Sequence, residues 1–500
     1  MNKIFFILSV IGLFTITAGC SDYLDQQSPD QLTSENFWRN KSDAESALAA
    51  AYSQLEAATD EWTFAEIKWP VEAYREDICD LGSDALNYQN WVELSTFTYT
   101  NGNSQFTEYW KINYRGISNA NQVIDKLPQV PASTITDADR AQIEAEARFL
   151  RAYYHMKLLL NWEQIYVRSK YVTKESDLNI PLSTRAEAWD FITSEFKAVA
   201  AILPPKQSQD KTGRATSGAA NSYLGFAYLT RAYEETAQKQ TYLNESLTAL
   251  NKVQGYDLVK DYVSMFDGTN KNTKESIFEL QFSETTANGA FYRNALHYWM
   301  GAAELGGWDE ILPSTMLVNE FKKEGKIATT GNYDSRIYST LFFKDPYFND
   351  PDNPRVLGTT YDERFGDADK PVFRKFIPST QEKMDQEFTA INIPLMRYSN
   401  VLLMQAEALN ELGRTPEAIP YINKVRDRAD MPAMTGTTGS EVKAQIEHER
   451  ILEFPLENYR FYDLRRWGKT KAALDAVGRT GFDTSKNNFY PIPLTELQTN

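Results

Sequence analysis

The stretch MRYSNVLLMQAEALNELGRTPEAIPYINKVRDRADMP, residues 396–432, decides the fold. Apolar residues recur at helical spacing over Met396–Leu412 and again over Pro416–Ala429, with Gly413 between them. Ala406, Leu409 and Gly413, then Ala418, Ile422 and Val425, stand where two antiparallel helices would touch, and Pro432 closes the unit. Compact side chains at such positions let the helices approach closely. One pair cannot bury both of its faces, so a chain of this kind stacks pair upon pair.

Upstream, the same period predicts helices over Ser42–Leu55, Phe106–Leu127, Asp137–Trp162, Arg185–Leu203, Thr216–Tyr233 and Leu243–Val253. Ser42-Asp43 reads as a cap, and Pro128 and Pro204-Pro205 read as stops. Leu224-Gly225 and Tyr228 echo the opening of the last pair, whose spacing is that of a tetratricopeptide unit. Between about Tyr256 and Ile393 the texture changes to Gly, Pro, Asn and Asp clusters, with Ser276–Phe282 as a short strand. The expected fold is mainly α: tetratricopeptide-like helix pairs packed against a loop-rich half with small β elements. The expected division is helical over 42–255, loop-rich and ligand-facing over 256–393, and a C-terminal helix pair with its following segment over 394–500. A structureless insertion of that length is seldom mere connection, so recognition is expected there.

Of 500 residues, 52 are Lys or Arg and 68 Asp or Glu, a net charge of −16 with no basic block. Phosphate recognition needs a positive stripe, so no nucleic-acid partner is expected. Two cysteines and three histidines exclude a four-cysteine zinc site and a disulfide scaffold. His448-Glu449-Arg450 lacks the second histidine of a zinc-protease helix, and no Gly-x-Ser-x-Gly elbow or phosphate-cradling loop occurs. The oxygen-rich run 345–353 lacks the glycine of a calcium loop. No catalytic residue, metal or cofactor is therefore assigned. His155 reads as a packed core histidine and Cys79 as a small buried hydrophobe, whereas His297 lies in an aromatic segment where it could meet a ligand.

The first twenty residues read as an address. Lys3 precedes an apolar run from Ile4 to Ile16, and Thr17-Ala18-Gly19-Cys20 follows. The order fits a signal peptide over 1–19, with lipid attached to Cys20 and a polar lead-in over 20–41. A membrane partner is expected through that anchor alone, because no later apolar run is long enough to span a bilayer.

Aromatic residues make up 13% of the chain. Three segments set aromatics outside the helical pattern: Asp80–Trp91, which is rich in amide side chains, Phe291–Trp308, and the region of Trp62 and Trp69. A sugar ring offers one flat C–H face and a rim of hydroxyls. Aromatic rings accept the face, and Asn, Gln and Arg answer the rim. The candidate ligand-binding residues are Trp91, Asn87, Tyr88, Gln89 and Arg75 from the first region, with Tyr298, Trp299 and Trp308 from the second. By contrast, the charged and aromatic run from Glu447 to Gly468 reads as a structural clamp of Arg–carboxylate forks.

Several segments together resemble one family. They are Glu449-Arg450 with Tyr459-Arg460-Phe461-Tyr462-Asp463-Leu464-Arg465-Arg466-Trp467-Gly468, the ending Phe489-Tyr490-Pro491-Ile492-Pro493, Phe37-Trp38 with Asp43-Ala44, Trp110 to Asn121, Glu146–Tyr154, Gly213–Thr216 and Arg397–Asn410. They are similar to the SusD/RagB-type nutrient-binding lipoproteins. The resemblance implies a non-catalytic, surface-exposed outer-membrane lipoprotein that binds a glycan and lids a TonB-dependent, SusC-like transporter. It places glycan sites in the segments matching Asp77–Trp91 and Tyr298–Trp308, with Trp91 at a stacking position. The family also includes peptide binders, which leaves a peptide ligand as the alternative and a surface glycosidase as a third reading.

Overall fold

A computed structural model describes residues 37–56, 69–206, 208, 211–284 and 293–497. Cys20 with the signal segment, Trp62, Phe291 and Tyr292 lie outside the described residues, and of Trp69 only the backbone is described.

Helices Lys41–Tyr52, Ser104–Lys126, Asp137–Asn161, Arg185–Ala200, Ser217–Glu234 and Lys239–Leu250 follow one another, each packed on its predecessor. The array then resumes far along the chain. Tyr398–Glu411 packs on the 239–250 helix, and Thr415–Arg428 and Gly439–Glu453 follow it. Gly225 shows why slim residues recur: a Cβ there would collide with the Leu250 side chain, so the two helices meet only because it has none. Trp110, Phe149, Tyr154, Trp162 and Trp189 are fully enclosed between layers. Each such side chain buries well over 100 Å², the main source of stability in an array of this kind.

The sequence boundaries shift where local chemistry competes. The first helix is capped by Asn40, whose side chain accepts from the Asp43 N–H, while Asp43 itself pairs with Arg39. Met396 does not begin a helix. It lies opposite Phe278 in an antiparallel ladder of Ser276–Leu280 with Ile393–Arg397.

That ladder is the neck through which the chain leaves the array and returns. Two further two-stranded ladders hold the loop-rich half, Leu341–Phe342 with Val372–Phe373 and Cys79–Leu81 with Ile311–Pro313. At the neck, buried Arg397 binds Glu275 at 2.5 Å and Glu453 at 2.8 Å, and Arg428 also reaches Glu453. Arg336 adds Asp334, Glu449 and Glu453. Each fork satisfies charges that would be costly to bury singly, so the network fixes how the insertion joins the helices.

His155 and Cys79 are both enclosed. The His155 ring is tied on one nitrogen to the Arg151 carbonyl and on the other to the Arg168 N–H, and burial keeps it neutral, down to about 3.

Candidate functional site

The Cys79–Leu81 and Ile311–Pro313 pairing brings the first aromatic segment against the second. Gly82 continues it: its N–H donates to the Glu310 carbonyl at 2.9 Å, and a Cβ there would overlap the Asp309 carbonyl. Beyond Gly82 the chain makes a turn at Ala85–Asn87 and then a short helix, Gln89–Thr96. That helix was not expected from the sequence, because its buried stripe is only Trp91 and Leu94. On the other side, Leu296–Met300 forms a short helix and Ala303–Leu305 a single tight turn.

Trp91 and Trp299 meet at 4.5 Å between ring centroids, and Tyr88 lies over Trp91 at 4.0 Å. Alongside, Tyr298 stacks on Trp308 at 5.2 Å with planes 21° apart, and His297 backs Tyr298 at 4.3 Å. The two segments, more than 200 residues apart, thus form one aromatic body.

Its exposed face differs from the expected one. Trp91 and Trp299 are only 7% and 5% exposed and form the underlying layer. Tyr88, 43% exposed, is the ring turned outward, with Leu86 at 62% beside it. Tyr298 and Trp308 are half-buried. Asn87 and Gln89 are exposed within reach of the same surface segment.

Arg75 does not serve as a donor to a ligand. It is 1% exposed, wedged against Phe461 at 3.9 Å and Tyr490 at 4.6 Å, and donates to Asn161 at 2.6 Å. Enclosure by rings from the C-terminal segment converts it into an internal strut. His297 is likewise buried. Its Nε2 lies 2.8 Å from the Gln386 carbonyl, and burial lowers the ring to about 4, so it remains neutral behind Tyr298.

Carboxylates that the sequence reading did not single out surround the rings. Glu310 is 2% exposed and hydrogen-bonded to Asp84; burial and that neighbour push it up to about 9, so the pair holds a proton. Burial would raise Asp309, but hydrogen bonds from Ser83 and Lys370 hold it below the usual range. Lys370 also bridges to Glu304 at 3.1 Å. Asp309-Glu310 directly after Trp308 was the available signal in the sequence.

The segment carrying the site is anchored from the C-terminus, as the clamp reading anticipated. Arg460 grips Asp77, Arg450 binds Asp463, and Arg466 with Trp467 holds Glu407. All of these charges are buried or nearly so.

Comparison with known proteins agrees with this architecture. The profile described as SusD family matches residues 274–500, and one described as starch-binding associating with outer membrane matches residues 22–229. SusD-like protein P2 of Formosa agariphila is 24% identical, the alignment covering 99% of this chain and 97% of the relative. A SusD superfamily protein of Bacteroides vulgatus superposes with a TM-score of 0.80 at 27% identity, over 93% of this chain and 98% of the other. Surface glycan-binding protein A of Bacteroides thetaiotaomicron, solved in complex with laminarihexaose, gives 0.72 at 22% identity, over 92% and 97%. With two profiles spanning the helical array, the platform and the clamp, this chain belongs to the SusD family.

Proposed function

We propose that this protein is a non-catalytic carbohydrate-binding lipoprotein of the outer membrane, and that oligosaccharide docks on the face formed by Tyr88, Tyr298 and Trp308. The observation that carries the reading is the outward Tyr88 ring seated on a buried Trp91–Trp299 layer, flanked by Asn87 and Gln89. A rigid ring backed by other rings loses little entropy on stacking, and the amides supply hydrogen bonds for hydroxyls. The laminarihexaose complex of a structural relative supports carbohydrate as the ligand class. Trp91 and Trp299 act in this reading as the support under the contact surface.

The likeness to a surface glycan-binding protein solved with its oligosaccharide favours binding over hydrolysis as the role of this face. In this reading lipid on Cys20 holds the protein at the cell surface, where it delivers its ligand to a SusC-like, TonB-dependent transporter. A peptide ligand has no specific feature at this face to favour it.

Calorimetry with an oligosaccharide panel that includes laminarihexaose tests the binding claim. Binding that is lost in Tyr88→Ala and Trp308→Ala, with folding retained, is the expected result. Equal binding by the parent and both variants would refute the site. Co-purification of a TonB-dependent transporter with the membrane-extracted protein tests the delivery claim.

A further inference from the structure

The charges around the aromatic face narrow the ligand class, an inference that rests on the carbohydrate reading above. Three segments meet there: 80–93, 296–310 and 381–387. Each carries three carboxylates, and Lys383 is the single Lys or Arg among them. The carboxylates are also placed near the rings. Asp84 lies close enough to Tyr88 to raise its phenol beyond the effect of burial, whereas Glu310 beside it holds a proton at neutral pH and adds no charge there. Asp385 and Glu387, both exposed, do the same to Tyr298. Glu304 and Asp309 stand on either side of Trp308 in sequence, and Lys370, which reaches them from the loop before the 372–373 strand, is held by both. One positive charge answered by two negative ones leaves this edge net acidic.

A uronate or sulfate docked on Tyr88 or Trp308 would therefore face carboxylates from all three segments, with Lys383 the only ammonium those segments offer in reply. Anion-recognising sites are built the other way, with Arg or Lys forks aimed at the ligand. A surface of one sign also repels like-charged partners before contact, an effect that salt weakens. Hydroxyl rims, in contrast, are well served by the acceptors of Asp385 and Glu387 and by the amides of Asn87 and Gln89. We propose that this site takes uncharged oligosaccharides and rejects those bearing uronate or sulfate groups.

The test is a glycan array followed by calorimetry at low and physiological salt. It uses neutral glucan, mannan and galactan oligosaccharides beside oligogalacturonate, alginate and sulfated galactan oligosaccharides. The expected hits are neutral, depend on Tyr88 and Trp308, and bind at least tenfold tighter than any anionic probe. The double variant Asp385→Asn/Glu387→Gln should narrow that gap, and raising the salt should narrow it in the parent. An anionic hit that is abolished by Tyr88→Ala overturns the charge inference but keeps the site. Hits indifferent to Tyr88→Ala and Trp308→Ala, or no hits at all, overturn the carbohydrate site and the inference with it.

Discussion

Arg460 holds Asp77 through two parallel hydrogen bonds, Nε to Oδ1 at 2.8 Å and Nη2 to Oδ2 at 2.7 Å, across 383 residues of sequence. Asp77 is 2% exposed and lies two residues before the strand that opens the first aromatic segment. The family-hallmark segment at the C-terminus thus fixes the base of the candidate site.

Arg460→Ala should destabilise the protein by about 3–5 kcal/mol, because it leaves a buried carboxylate without its partner. Urea unfolding of the single variants and of Arg460→Ala/Asp77→Ala measures the coupling. The double variant is expected to be less destabilised than the sum of the two singles. Additive losses would mean that the pair contributes nothing as a pair.

The layered rings separate contact from support. Tyr88→Ala removes an exposed ring, so its unfolding free energy should stay within about 1 kcal/mol of the parent, while oligosaccharide affinity falls at least tenfold, about 1.4 kcal/mol. Trp91→Ala opens a cavity beneath it and should cost about 3–5 kcal/mol of stability as well as binding. Paired calorimetry and denaturant titrations on both variants check the contrast. A Trp91→Ala protein as stable as the parent would contradict the assignment of Trp91 to the supporting layer.

The helix pairs were legible because burial repeats along each of them over several turns, as in the 137–161 helix, where Ala145, Phe149, Ala152 and Met156 all face inward. Short elements carried too little period to be read: the 89–96 helix has two buried residues, and Met396 was drawn into a helix because its ladder partner Phe278 lies 118 positions away. The aromatic segments were legible as a residue mix, but which ring faces out was not. Exposure at Trp91 is decided by Tyr88 folding over it and by Trp299 arriving from elsewhere in the chain. Arg75 failed for the same reason, since Phe461 and Tyr490, which enclose it, are distant in sequence. The Asp84–Glu310 proton pair likewise exists only after the 79–81 and 311–313 strands pair.

Gly82 should tolerate no side chain. In Gly82→Ala the added methyl meets the Asp309 backbone, so the strand pair must open. Overpacking of this kind costs about 1–3 kcal/mol. The displacement would carry Trp91, with Tyr88 over it, away from Trp299, so oligosaccharide binding should fall further than stability alone explains. Near-parental binding and stability in Gly82→Ala would show that the loop does not need this close approach.

His448 sets a pH dependence that can be isolated. Its Nδ1 lies 2.7 Å from Glu320 and its Nε2 3.2 Å from Glu324, on the loop-rich side of the 439–453 helix. Burial opposes its charge, but the hydrogen bonds the ring donates to both carboxylates outweigh it and raise the imidazole from 6.5 to about 9. A folded value above the unfolded one means that this contribution is complete below about pH 6.5 and is lost as pH rises through 9. Its full size is about 3 kcal/mol, the free-energy equivalent of that shift. Glu320, which burial would raise but His448 and Lys323 bring down to about 2, reports the same contact from the acid side, where stability is lost as pH falls from 4.5 towards 2. His448→Gln should remove the slope between pH 6.5 and 9 relative to the parent, while other groups, Glu310 among them, titrate equally in both proteins and cancel in the difference. Unfolding free energies of parent and variant from pH 5 to 9.5 measure it; a difference that does not shrink towards pH 9 would show that the charged imidazole is not what joins these two elements.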